Sequence, residues 1–169
     1  MTVLSDRAAS RGFTFIELVI TLALIGLLSM LAVPLYEMTA TRMKESELRQ
    51  ALRTIRSGID AYKAATDSGS LAREAGDSGY PPSLAKLTEP LELQGKRDLS
   101  GSIASQRMVI LRQLPRDPFS TDLEIPAPLT WNTRAYASRA DDPQPGDDVF
   151  DVSSKSSRIG LDGTPYSSW

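Results

Sequence analysis

The sequence predicts an α+β protein in which one long N-terminal helix packs on a small C-terminal antiparallel sheet. Three patterns lead to this prediction. Residues 18–36 carry no charge, apolar residues then recur at helical spacing as far as position 62, and short strand-like runs follow position 129. The helix is expected to be transmembrane in its first half and amphipathic in its second half.

The same patterns divide the chain into five expected segments. They are a leader at 1–12, the transmembrane half of the helix at 13–36, its amphipathic half at 37–66, a variable connection at 67–110, and the C-terminal sheet with a terminal loop at 111–169.

The transmembrane prediction depends on the length of the uncharged run and on its flanks. Leu18 to Tyr36 is 19 residues long. As a helix it rises roughly 28 Å, close to the hydrocarbon thickness of a bilayer. Arg7 and Arg11 precede it, and no comparably basic cluster directly follows Tyr36. The positive-inside rule therefore predicts a single-pass protein with a cytoplasmic N-terminus and an exported C-terminal domain.

A secretory signal peptide is the competing interpretation, because it also has a basic start and an apolar run. Here the apolar run is longer than is typical, no convincing A-x-A cleavage site follows it, and Glu17 lies near its start. A carboxylate at the centre of a membrane helix costs about 2.5 to 3.5 kcal/mol, and less near an interface. An acid in this position therefore predicts a functional role.

Glu17 has no cationic side chain within the apolar run to pair with. Cleavage after Gly12 would give Phe13 a new α-amino group, positively charged near neutral pH, four residues before the acid. In a helical array, Glu17 of one subunit could then meet the Phe13 amine of its neighbour. Such a buried pair would fix register more than it would add stability.

The residues Arg11-Gly12-Phe13-Thr14-Phe15-Ile16-Glu17-Leu18, followed by the apolar run and Pro34, resemble the N-terminal signature of type IV pilins and type II secretion pseudopilins. The resemblance implies a pilin-like fold and a prepilin leader at 1–12. It also implies that a prepilin peptidase cuts after Gly12 and N-methylates Phe13, which leaves the amine charged. In filaments of this family the helix can stretch near the proline that matches Pro34.

The second half of the helix carries an apolar stripe that is expected to form the floor of a globular domain. The stripe consists of Leu48, Leu52, Ile55, Ile59 and Tyr62. The charged residues between them could contact neighbouring subunits. Gly26 and Pro34 are expected weak points, where the helix either kinks or melts locally, although membrane helices also tolerate both residues without effect.

Beyond Thr66 the chain turns polar and rich in turn formers. A proline-led helical turn with Leu84 and Leu87 inward comes next, and 89–110 is ambiguous, with 108–111 either a strand or a helical end. Strands are expected at 129–138 and 149–153, paired antiparallel against the amphipathic helix. The proline- and acid-rich stretch 141–148 connects them.

The order of motifs in this second half resembles the major pseudopilin of type II secretion. The motifs are Tyr80-Pro81, Leu114-Pro115-Arg116-Asp117-Pro118-Phe119, Phe150-Asp151-Val152-Ser153-Ser154 and Gly160-Leu161-Asp162-Gly163. The resemblance implies a calcium ion in the terminal loop, held here by Asp162 and the Ile159 carbonyl. Two positions cannot supply the six to eight oxygens that calcium prefers, so an ordinary turn at Asp162 is favoured. Tyr166 and Trp169 are then expected to close the sheet edge by apolar packing.

Composition excludes several functions. The chain has no histidine and no cysteine, which rules out histidine-based triads, thiolate nucleophiles and disulfides. The net charge is −2 and residues 67–169 are acidic overall, which disfavours nucleic-acid binding. A membrane-anchored enzyme using Asp147 and Asp148 is a weak alternative, because adjacent strand residues face opposite sides. We therefore expect no enzymatic activity.

The sequence thus predicts a structural subunit of a type II secretion pseudopilus, assembled from the bacterial inner membrane into a periplasmic filament for protein export. The expected partners are further copies of the chain, minor pseudopilins, the prepilin peptidase and the inner-membrane secretion platform. No cofactor is certain; calcium in the terminal loop is the one candidate. A minor type IV pilin or a competence-type pilin is the alternative.

Overall fold

A computed structural model describes residues 12–73, 76–94 and 106–169. The predicted leader, apart from Gly12, and part of the predicted connection at 67–110 lie outside the described residues. The chain divides into two compact units, Met1–Thr41 and Arg42–Trp169.

One helix, α1 (Phe15–Asp67), contains 53 residues. It ends next to Gly69, whose φ of +72° suits a glycine, and the Ser70 amide donates back to the Ala65 carbonyl at 2.9 Å. The predicted end at Thr66 is therefore nearly correct. The helix continues without interruption through Gly26 and Pro34, so the local melting expected there does not occur in the described helix.

In the first unit, the apolar side chains of α1 from Phe15 to Tyr36, other than Leu31, are exposed. They lie on all sides of the helix. An 18-residue window reaches a mean hydropathy of 2.6, and none of that window is buried. By length and composition the helix is able to cross a membrane. These properties are those of a single-pass membrane anchor.

In the second unit, the predicted stripe of α1 forms the floor of the core. Leu48, Leu52, Ile55 and Ile59 are each at most 2% exposed, and Tyr62 packs against the same core. The predicted turn at Leu84–Leu87 is a 3-10 helix with both leucines buried. Further core side chains come from the C-terminal region: Leu114, Phe119, Trp131, Val149, Val152 and Tyr166. The amphipathic period therefore identified the buried face correctly.

The predicted antiparallel pair is present, with shorter strands than expected. β3 (Trp131–Arg134) pairs with β4 (Asp151–Ser154), with Trp131 opposite Ser154. The expected strand within 129–138 is wrong at both ends. Leu129 and Thr130 lie in a 3-10 helix, Ala127–Thr130, before β3. After β3 the Tyr136 amide donates to the Asp148 side chain at 2.8 Å instead of to a strand.

A second antiparallel pair lies in the segment that the sequence left ambiguous. β1 (Leu91–Leu93) pairs with β2 (Gln106–Met108), with Leu91 opposite Met108. Of the stretch 108–111, only Met108 lies in a strand, as its last residue, and 109–111 is neither strand nor helix. With α1 and two small antiparallel sheets, the predicted α+β pilin-like architecture is confirmed.

The C-terminal segment covers the core from the side of β4. Ile159 and Pro165 form an isolated antiparallel bridge, and a 3-10 helix follows at Tyr166–Ser168. The Tyr166 ring is fully buried and stacks on Phe119 with 4.1 Å between the ring centroids, while Trp169 meets Tyr166 edge-on at 5.0 Å. The predicted apolar packing of Tyr166 and Trp169 is therefore found.

Candidate processing and assembly segment

The predicted cleavage point lies immediately before α1. Gly12, Phe13 and Thr14 precede the first helical residue, Phe15, and all are exposed. A Cβ atom on Gly12 would meet no neighbouring atom within 4 Å. Because a peptidase must bind its substrate in an extended form, a peptide bond outside the helix with open space around it is suited to cleavage.

Thr14 and Glu17 form a reciprocal cap on the first turn of α1. The Glu17 amide donates to the Thr14 hydroxyl at 3.3 Å, and the Thr14 amide donates to Glu17 Oε2 at 3.5 Å. This is the arrangement of a capping box, in which both partners satisfy main-chain donors that the helix leaves unpaired. The Thr-x-x-Glu spacing before an apolar run was visible in the sequence, but Thr14 was not singled out.

The capping contact leaves most of the hydrogen-bonding capacity of the Glu17 carboxylate unused. At 3.5 Å the bond from Thr14 is long and therefore weak. An ionised carboxylate can accept about four hydrogen bonds. Glu17 is exposed, so its oxygens are accessible to a donor on another molecule.

Two other polar side chains of the apolar stretch are satisfied within the helix itself. The Thr21 hydroxyl donates to the Leu18 carbonyl, and the Ser29 hydroxyl donates to the Ile25 carbonyl, each at 2.9 Å. Such bonds let hydroxyl side chains enter an apolar environment at reduced cost. Glu17 therefore differs from them, because its charge needs a counter-charge.

Pro34 lies inside α1 and is exposed. Since proline has no amide hydrogen, it cannot donate to the carbonyl of Met30, four residues earlier. The turn of α1 before Pro34 therefore lacks one main-chain hydrogen bond and is weaker for that reason. Stretching of the helix there within a filament stays a prediction.

Of the two residues suggested for calcium, Asp162 lies in a tight turn of the second unit and Ile159 directly precedes that turn, in the bridge to Pro165. The Gly163 amide donates to the Gly160 carbonyl at 3.0 Å, as in an ordinary β-turn. Asp162 Oδ1 accepts from the amide and the hydroxyl of Thr164, at 3.0 and 2.7 Å, and its Oδ2 lies 3.4 Å from the Arg49 guanidinium. These bonds, with that of the Thr164 amide the largest cause, lower the pKa of Asp162.

These contacts give Asp162 partners that a calcium ion would have to replace. Among the residues that the structure describes, no three acidic side chains are grouped so as to hold a metal ion. Asp162 and the Ile159 carbonyl alone do not fit calcium, which prefers six to eight oxygen ligands. No step of the function proposed below involves the ion, and calcium binding stays a prediction.

Sequence reasoning missed one buried acid, Glu45 on α1, which is only 6% exposed. Its Oε1 accepts from the Leu161 amide at 2.7 Å and from the Tyr166 hydroxyl at 3.0 Å. Glu45 thus fixes the turn that contains Asp162 to the helix. No local signal could have revealed this role, because both partners are more than a hundred residues away in sequence.

The comparisons with known proteins bear on the N-terminal segment. A family model described as a prokaryotic N-terminal methylation motif matches residues 7–33, which include Gly12, Phe13, Glu17 and most of the apolar run. The match supports a type IV pilin-like protein, associated with the membrane and processed by a prepilin peptidase; the family is structural, not enzymatic. No curated protein and no solved structure gives a match.

Proposed function

We propose that the chain is a structural subunit of a type II secretion pseudopilus. In this role it is inserted in the bacterial inner membrane, cleaved after Gly12, and assembled with further copies into a periplasmic filament for protein export. The observation that supports this most is the exposed Glu17 carboxylate inside the matched motif. It lies four residues after the position where cleavage would create an amino group.

Assembly then depends on the charge pair between that amino group and Glu17. An unpaired carboxylate in the hydrocarbon region is costly, and pairing with a neighbour's Phe13 amine removes part of this cost. Glu17 lies in the first turn of the helix, close in sequence to the new N-terminus, and the weak capping bond from Thr14 leaves its carboxylate available to a neighbour. Only a cleaved neighbour offers the amine, so processing precedes polymerisation.

The finer assignment to protein export rests on the motif order in the second unit. Tyr80-Pro81, the Leu114–Phe119 motif, β4 and the turn at Gly160–Gly163 follow one another as in major pseudopilins. Minor pseudopilins, the secretion platform and the prepilin peptidase are the partners expected on this proposal. Deletion of the gene should then block export of secreted proteins while leaving surface pili in place; loss of pili with normal export would instead favour a pilin.

The mass of the mature N-terminal peptide tests the proposal directly. Protein purified from the membrane should begin at Phe13 and carry one added methyl group. Gly12→Leu should retain the leader, because a bulky side chain at the cleavage point obstructs the peptidase. Gly26→Leu, the same change inside the helix, should still be cleaved. A mature chain that retains Met1, or a Gly12→Leu chain that is cleaved normally, would refute the processing step.

A further inference from the structure

The amphipathic half of α1 carries a row of arginines beside its buried stripe. This basic flank consists of Arg42, Arg49, Arg53 and Arg56. The spacings of seven, four and three residues bring the four side chains to one side of the helix. Between Arg42 and Arg56 there are five basic residues and only two acidic ones, so the flank is strongly positive although the whole chain is not.

Part of this positive charge is used within the second unit and part is not. Arg56 donates to Asp151 Oδ1 at 2.8 Å and to the Val152 carbonyl at 3.0 Å. Arg49 lies 4.2 Å above the Trp169 ring and 3.4 Å from Asp162. Arg42 and Arg53 are exposed, and within the described part of the chain neither has an acidic partner. The outer edge of the flank therefore remains uncompensated.

The basic flank borders a continuous groove. Arg49, Arg53 and Arg56 line an open cavity of about 390 Å³ together with Trp169. Arg56 and Trp169 also line the adjoining cavity of about 750 Å³. There Lys155 and Arg134 add two further cations, of which Arg134 is paired with Asp151 at 3.6 Å, and Pro143 and Pro145 of the same chain form part of the wall. Two acids, Asp151 and Asp162, lie along this groove. Its excess of basic residues suits an acidic segment of polypeptide.

The segment 141–148 has the complementary charge and a fixed shape. This acidic loop contains four aspartates, two prolines and no basic residue. The Ala135 amide donates to the Gln144 carbonyl at 3.0 Å, and the Gln144 amide donates to the Ser138 hydroxyl at 2.7 Å. Because the loop is already ordered by these bonds and by its prolines, it would lose little conformational freedom on binding.

The aspartates of the acidic loop are mostly accessible. Asp141 pairs with Arg139 at 2.7 Å, and Asp148 accepts from the Tyr136 amide. Asp142 and Asp147 are exposed and, among the described residues, have no basic partner. The loop thus presents uncompensated negative charge, just as the basic flank presents uncompensated positive charge.

We propose that the basic flank binds the acidic loop of a second copy of this chain. This inference rests on the proposed filament, because a polymer brings the flank of each subunit near other copies. Opposite charges at the two surfaces favour one orientation of approach and oppose the contact of like surfaces. The contact would fix how the second units are arranged, a task separate from the pairing of Glu17 in the membrane.

Cysteine cross-linking tests the contact, because the natural chain has no cysteine. Full-length Arg53→Cys and Asp142→Cys chains are co-expressed, and membranes are mildly oxidised. A disulfide requires Cα atoms within about 7 Å. A mixed dimer between the two variants should therefore form if the basic flank of one chain binds the acidic loop of the other. Ala61→Cys is the matched control, exposed on the same helix and roughly 80° away from Arg53. It should cross-link far less with Asp142→Cys.

A charge exchange separates this contact from other uses of the basic flank. Arg53→Asp and Asp142→Arg should each reduce the amount of filament recovered, and the double variant should restore it. Absence of both the mixed disulfide and the restoration, in cells where wild-type filaments form, overturns this inference and leaves the proposed function standing. The flank would instead bind lipid headgroups if two results were found together. Arg53→Asp would reduce the amount of filament without restoration by Asp142→Arg, and the Arg53→Asp chain would bind anionic vesicles more weakly than wild type.

The two proposals fail in different ways. If the wild-type chain forms no filament and keeps its leader, the proposed function is wrong, whatever the cross-links show. If Glu17→Leu abolishes filaments while the Arg53 and Asp142 variants assemble normally and do not cross-link, only the flank contact is wrong.

Discussion

The Glu45 carboxylate on α1 accepts a hydrogen bond from the Tyr166 hydroxyl at 3.0 Å, across 121 residues of sequence. Both side chains are buried, and the same carboxylate oxygen accepts from the Leu161 amide. A buried carboxylate needs such partners because removal from water is costly. Burial, followed by the bond to Glu45, raises the pKa of the Tyr166 hydroxyl. The two hydrogen bonds to Glu45 attach the C-terminal segment to α1.

Replacing Tyr166 by phenylalanine tests how much the hydrogen bond to Glu45 stabilises the fold. Tyr166→Phe keeps the ring stacked on Phe119 but removes one of the two donors to Glu45. We expect the free energy of unfolding to fall by about 1 to 3 kcal/mol, since a buried acceptor loses a partner. Urea denaturation of the full chain in detergent measures the change. Tyr136→Phe, at an exposed tyrosine, is the control and should alter stability little; equal losses in the two variants would contradict the role of Glu45.

The lowered pKa of Asp162 predicts a small acid-sensitive contribution to stability. In the folded chain, bonds from Thr164 first, and then the Arg49 charge, favour the ionised carboxylate. The stabilisation is therefore complete above the unfolded pKa of about 3.9 and is lost as the pH falls through the folded value. Asp162→Asn should be less stable than wild type near neutral pH, and the difference should shrink in acid.

Thermal unfolding at about pH 7 and about pH 2 measures this difference. Asp147→Asn, at an exposed aspartate without a basic partner among the described residues, is the control. A difference between wild type and Asp162→Asn that stays constant across this range would contradict the assignment. Because Asp162 is largely exposed, salt should also reduce the part due to Arg49.

Removal of calcium is expected to leave the melting temperature unchanged. Asp162 already receives two hydrogen bonds from Thr164 and faces the Arg49 cation, so the turn is held without a metal ion. Thermal melts with a chelator and with added calcium provide the measurement. A melting temperature that falls with chelator and returns with calcium, but not with magnesium, would show that the ion is structural.

Two substitutions at Glu17 distinguish its charge from its capping role. Glu17→Gln keeps an oxygen that can accept from the Thr14 amide, whereas Glu17→Leu removes it. Neither keeps the negative charge. Both variants should insert and lose the leader, and both should fail to assemble if the charge pair orders the subunits. Electron microscopy of membrane fractions shows the filaments; normal filaments from Glu17→Gln would contradict the charge pair.

The parts of the fold that depend on local periodicity could be predicted from the sequence. The stripe from Leu48 to Ile59 is buried as its spacing indicates, and the turn at Leu84–Leu87 lies where the leucines place it. The ends of β3 could not be predicted in this way. The 3-10 helix at Ala127–Thr130 sets its beginning. Its end is set by bonds from Ala135 and Tyr136 to the returning connection, which a local pattern does not contain.

In the candidate sites too, features set by neighbouring residues could be predicted, and features set by distant residues could not. The match at 7–33 agrees with the motif read from Arg11 to Leu18, because that motif is contiguous. The cap between Thr14 and Glu17 was equally local and could have been found. The role of Glu45 could not, since the residues that bury it come from distant parts of the chain.

The burial of Tyr166 has a consequence for biosynthesis. The ribosome must add 121 residues after Glu45 before this acid can acquire its tyrosine partner. Once the helix has left the ribosome, its leucines and isoleucines remain without their final cover until the C-terminal segment follows. In this state the chain exposes apolar surface, and it is vulnerable to proteolysis and aggregation until the C-terminal segment has been made.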